Sequence, residues 1–97
     1  LFVGFSNSLI TFVIDTKNSK TLDILSWEED DRIREYVARN VHTSTETLTA
    51  LSKDRDSYTR TGVANNPKAP IDALRTLAWD STSIVQQCVA ENANTPS

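Results

Sequence analysis

The chain has 97 residues, with ten Lys and Arg against thirteen Asp and Glu, a net charge of −3, 38% hydrophobic residues and 24% charged ones. That length suits one domain burying roughly two-thirds of its unfolded surface, and with Gly at two and Pro at three the composition excludes collagen and a disordered tail. One Cys and one His exclude an internal disulfide, a cysteine cage and the usual zinc sites, and the acidic balance argues against a sequence-independent hold on phosphate backbones.

Residues 1–14 are rich in Leu, Ile, Val and Phe but are interrupted by Gly4, Ser6, Asn7, Ser8 and Thr11. They are too short and too broken for a membrane span. No positive region precedes them and no small-residue cleavage site follows, so they do not read as a signal peptide, and the expected place is the cytoplasm. Two readings stay open for an N-terminal segment 1–20. Leu1-Phe2-Val3-Gly4-Phe5 and Leu9-Ile10-Thr11-Phe12-Val13-Ile14 could pair as strands around Ser6-Asn7-Ser8, or the segment could be an apolar capping helix.

Residues 21–97 are organised by an internal repeat. Val37-Ala38-Arg39-Asn40 recurs as Val63-Ala64-Asn65-Asn66 and as Val89-Ala90-Glu91-Asn92, a period of 26 residues. Leu22, Leu48 and Leu74 share a phase, Leu25, Leu51 and Leu77 another, and Ile33, Thr59 and Val85 a third in which Thr59 is the weak member. The second V-A-x-N is followed by Pro67-Lys68-Ala69-Pro70 and the third by Ala93-Asn94-Thr95-Pro96, whereas Val41-His42-Thr43-Ser44 follows the first without a proline. Stopping at Ser97, short of the next pair of leucines that the period calls for, the chain reads as a slice of a longer protein, or one whose end another chain covers.

Each unit divides into two short helices. Ile33, Tyr36 and Val37 form an apolar stripe of helical period, and Asp30, Asp56 and Thr82 share a phase suited to N-caps. Asn40, Asn66 and Asn92 fall where this helix should stop, since Asn tolerates the left-handed conformation of a C′ position and a nearby Pro cannot continue a helix. Thr43-Ser44-Thr45-Glu46 has the pattern of a capping box, and Thr95-Pro96 that of a cap with Pro at the first helical position. Leucines three apart, Leu48 with Leu51 and Leu74 with Leu77, give a second helix of about two turns with 3₁₀ character. The expected fold class is all-α.

The residues Leu77-Ala78-Trp79-Asp80, Val85-Gln86-Gln87-Cys88-Val89-Ala90-Glu91-Asn92 and Thr95-Pro96, with Arg60-Thr61-Gly62-Val63-Ala64-Asn65-Asn66-Pro67-Lys68-Ala69-Pro70, resemble the leucine-rich-repeat variant family. The resemblance covers about three 26-residue repeats over residues 21–97. It implies a HEAT-like solenoid, a right-handed α-α superhelix of alternating α and 3₁₀ helices. The cysteine-ligated iron–sulfur cluster of one family member does not carry over to a chain whose one cysteine is Cys88.

In such a stack the Val, Ala and Leu columns are the core shared between neighbouring units. Catalytic equipment is absent from the sequence: there is no G-x-S-x-G, phosphate loop or H-E-x-x-H, and no cofactor or metal is expected. His42 reads as a polar loop residue, Cys88 as a buried inert thiol, and Glu28-Glu29-Asp30-Asp31 as charges complementing a helix N-terminus. The better candidates are surface columns. Trp27 and Trp79 share a phase with Lys53 between them, either lying over the grooves between units or anchoring a partner. Arg34 and Arg60 form a second column, completed by Gln86, that suits a solvated face or an anion site. The leading expectation is a non-catalytic scaffold that binds another protein, or further repeats of its own chain, through Trp27, Trp79, Arg34 and Arg60. The alternatives are nucleic-acid binding by the Arg34/Arg60 column, an accessory domain of a larger enzyme or regulator, and end-to-end self-association.

Overall fold

The computed structural model describes residues 2–96, with side chains from residue 8 onward. Leu1 and Ser97, the outer limits of the 1–20 and 21–97 segments read from the sequence, lie outside the described residues, as do the side chains of the proposed first strand run. The described residues hold seven helices and no strand: α1 (Phe2–Asp15), α2 (Ser19–Leu25), α3 (Asp31–Arg39), α4 (Thr45–Leu51), α5 (Ser57–Asn65), α6 (Ile71–Leu77) and α7 (Ser83–Glu91). The 26-residue period of the sequence is also the period of the structure. Seven-residue helices open at positions 19, 45 and 71, and nine-residue helices at 31, 57 and 83.

Residues 2–15 form one helix and not a strand pair, so Ser6-Asn7-Ser8 lies inside α1. The reason is tertiary. A lone two-stranded hairpin is barely stable, whereas a helix here packs on α3 and seals Val13 completely from solvent.

The long helices pack in chain order, α1 on α3, α3 on α5 and α5 on α7, while α4 lies against α3 and α5, and α6 against α5 and α7. The result measures 46 × 24 × 18 Å. Leu22, Leu48 and Leu74, then Ile33, Thr59 and Val85, then Val37, Val63 and Val89 are all buried, and each sealed Leu or Val contributes roughly 1.5–3 kcal/mol. Thr59, the polar member of its column, stays buried because its hydroxyl bonds Asp56 at 3.0 Å. No buried side-chain N or O among the described residues lacks a partner.

Several local expectations are corrected. The short helices are α-helical; the tighter i to i+3 pattern appears only in the turn that leaves each one, where Trp27, Lys53 and Trp79 donate their N–H to Ile24, Ala50 and Thr76. Asp30 and Asp56 cap as expected, accepting from the N–H of Arg32 and of Thr59, but Thr82 makes no side-chain cap bond. Ser44 caps α4 through the Thr47 N–H, without a reciprocal Glu, because Glu46 falls one residue short of the required position. Thr43 and Thr95 do not cap: their hydroxyls donate at 2.6 Å to the carbonyls of Val37 and Val89. Pro70 stands at the N-cap of α6 and not at its first helical residue.

The largest correction concerns the asparagines. Asn40, Asn66 and Asn92 are extended, with φ near −75° and ψ from 125° to 128°, and not left-handed. Their side chains tie each unit to the one before it. Asn66 Nδ2 donates to the carbonyls of Ala38 at 2.7 Å and Asn40 at 3.0 Å, and Asn92 Nδ2 to those of Ala64 at 2.8 Å and Asn66 at 3.0 Å. Asn40 reaches α1 in a shifted register, donating to Val13 and Thr16 at 2.9 Å each. The same three side chains accept, at 2.8 Å, the N–H groups of His42, Lys68 and Asn94. The position that ends each long helix, as expected, is also a strut.

Candidate functional site

The candidate surface lies at the turns joining each short helix to the next long one, and a second ladder holds these turns in place. Arg34 on α3 donates from Nε and Nη2 to the two carboxylate oxygens of Asp54, at 2.8 and 3.2 Å, and from Nη1 to the carbonyls of Glu28 and Glu29 at 2.8 Å each. Arg60 repeats the arrangement one unit on, with Asp80 at 2.7 and 3.3 Å and the Asp54 carbonyl at 2.7 Å. Gln86, at the same place in the third unit, keeps only the bond to the Asp80 carbonyl. Forked arginine–carboxylate pairs of this kind fix geometry as well as charge.

These arginines are therefore not a solvated column. Arg34 is 6% exposed, and both guanidinium groups are engaged inside the chain, so neither is presented to a phosphate or an acidic peptide. Burial pushes the carboxyls of Asp54 and Asp80 up, but the Arg34 or Arg60 fork and the N–H of Asp56 or Thr82 together outweigh it and hold both below the usual carboxylate range. The Asp54 carboxylate in turn raises the Arg34 guanidinium above its ordinary value.

The tryptophans stand where this ladder leaves free surface. Trp27 is 81% exposed and Trp79 89%, and Lys53 between them is exposed as well. All three occupy the same hydrogen-bonded turn, so the backbone presents them in equivalent settings. Trp27 borders an open groove of about 390 Å³ between the first and second units, lined also by Ala50, Leu51, Asp54 and Arg55. Neither indole is part of the core.

Charge varies along this edge. In the first unit Glu28, Glu29 and Asp31 are exposed and form no ion pair with a described residue, while Asp30 is paired with Arg32 at 2.9 Å. In the second unit Lys53 and Arg55 are exposed and likewise make no ion pair among the described residues, because Asp54 already holds Arg34. In the third unit Asp80 is held by Arg60, leaving Trp79 and Ser81 without a neighbouring free charge.

The remaining chemical candidates fall elsewhere. His42 is exposed in the turn after Asn40, Cys88 is a buried free thiol on α7, and among the described residues no three His, Cys, Asp or Glu side chains converge to hold a metal. No described helix is long and apolar enough to cross a membrane. What the sequence reading missed is the partner of each arginine. Asp54 and Asp80 recur with the same period as Arg34 and Arg60, a signal that was present in the residues. Comparison of the chain with known protein families, with curated proteins and with solved structures finds no match.

Proposed function

We propose that this chain is a helical-repeat solenoid, a right-handed superhelix of the leucine-rich-repeat variant kind, serving as a non-catalytic scaffold that binds another protein along the edge marked by Trp27 and Trp79. The observation that carries the reading is the exposure of two indoles, 81% and 89%, at equivalent turns two units apart. Neither is part of the core, so the area of both rings is open to a partner. Tryptophan supplies large contact area with few rotamers to freeze, which is why it dominates binding hot spots. The turns that carry them are held by the Arg34–Asp54 and Arg60–Asp80 forks, so little ordering remains to be done on association.

The test compares the wild-type chain with a Trp27→Ala/Trp79→Ala variant as bait for proteins of the source organism's lysate. Partners retained by the wild type and lost by the variant, with helical circular dichroism unchanged, support the reading. Equal retention by both removes it.

A further inference from the structure

The free charges along the tryptophan edge have a sign order, and it constrains what the edge can hold. Between the two exposed indoles stands Lys53, with Arg55 two residues on, and neither cation has a carboxylate partner among the described residues. Every acidic side chain of the second and third turns is engaged: Asp54 with Arg34, Asp80 with Arg60, and Asp56 as the cap of Thr59. The middle of the column is thus locally positive on a chain of net charge −3. Glu28 and Glu29, which make no ion pair with a described residue, line the groove beside Trp27 together with Arg55.

We infer that the Trp27–Lys53–Trp79 column takes one segment of a partner protein in the polyproline II conformation, with an acidic residue at its centre and an apolar side chain three positions away on each side, all three on one face of the segment. Packed helices lie about 8–10 Å apart and a polyproline II chain makes one turn of three residues in about 9 Å, so one unit of the column matches one turn of such a segment. The acidic residue meets Lys53 and Arg55, and the apolar side chains lie on the two indoles. A basic residue of the segment lying in the groove beside Trp27 meets Glu28 and Glu29 and fixes the direction in which the segment runs. This inference rests on the scaffold role proposed above and specifies its ligand.

The test is a selection from a phage-displayed library of random heptapeptides against the whole chain, run in parallel on the wild type and on Lys53→Glu. The wild type is expected to enrich peptides with Asp or Glu flanked at three-residue spacing by apolar residues. Lys53→Glu should shift the central preference to Lys or Arg and weaken a selected acidic peptide about fivefold or more, the scale of a reversed exposed charge pair. Enrichment without a central acidic residue, an unchanged affinity in Lys53→Glu, or no enriched heptapeptide at all would overturn the inference. If any of these occurs while Trp27→Ala/Trp79→Ala still loses its captured protein, the scaffold role stands without this ligand. If the double variant also retains its partners, both fall. Lys53 is exposed and outside the core, so the folding of each variant is checked by its helical circular dichroism.

Discussion

The side-chain amide of Asn66 donates to the main-chain carbonyl of Asn40, the residue that holds the same place one unit earlier, and Asn92 repeats the bond onto Asn66. This self-reference makes the asparagine more than a terminator. Each copy uses both amide hydrogens on the preceding unit and its oxygen on its own turn, so neither amide hydrogen is idle.

Removing the central strut should therefore be costly. Asn66→Ala removes the side-chain donor from the Ala38 and Asn40 carbonyls, of which Asn40 keeps the Thr43 N–H, and takes the acceptor from the Lys68 N–H; it is expected to destabilise the chain by about 2 kcal/mol. Asn92→Ala, at a half-buried site, should cost about half as much. Equilibrium urea unfolding of the two variants measures the difference, and equal losses would mean that burial does not set the cost.

The arginine forks predict an acid-labile contribution to stability. The carboxyls of Asp54 and Asp80 sit below their ordinary value in the folded chain, so the unfolded chain takes up these protons first. Their contribution is complete above the ordinary carboxylate range and drains away as pH falls below about 4. Asp54→Asn should lower stability by about 3 kcal/mol at neutral pH, because Arg34 keeps its buried charge without a carboxylate, and should flatten the decline in acid. Unfolding midpoints between neutral pH and strongly acidic pH, wild type against variant, test both the offset and the slope.

At Gly62, α5 comes close to α3. A Cβ built there would stand 3.0 Å from the Ala38 Cβ, 3.2 Å from the Arg39 Cγ and 3.2 Å from the Glu35 carbonyl oxygen. Alanine would gain up to about 1 kcal/mol of helix propensity, but overpacking against backbone typically costs about 1–3 kcal/mol. Gly62→Ala is expected to destabilise by roughly 1 kcal/mol, and a thermal midpoint above the wild type's would show that the two helices can part cheaply. The same column holds Tyr36 and Cys88, so only this one junction requires glycine.

Much of this architecture was legible in the residues, for a physical reason. A repeat that shares its core with its neighbours must place equivalent apolar side chains at a fixed interval, so the Leu, Ile and Val columns exposed both the period and the helix phases. Tertiary pairing was harder to see. Arg34 and Arg60 looked like a free basic column because their carboxylates lie on the following turn, in another stretch of sequence, and local periodicity does not announce partners twenty residues away. Asn40, Asn66 and Asn92 misled in the opposite way: a local rule for ending helices accounted for them, and the long-range bonds they make have no local signature. Residues 2–15 left a strand pair and a helix both open, and α3 decides for the helix by offering a surface to pack on.

The measurement that bears most directly on the tryptophan column pairs partner retention with the unfolding midpoint for Trp27→Ala/Trp79→Ala. With both indoles outside the core, the midpoint should stay within the shift that about 0.5 kcal/mol produces, while retained partner falls at least tenfold. A midpoint that collapses, or partner retained at the wild-type level by a stably folded variant, would contradict a binding role for the column.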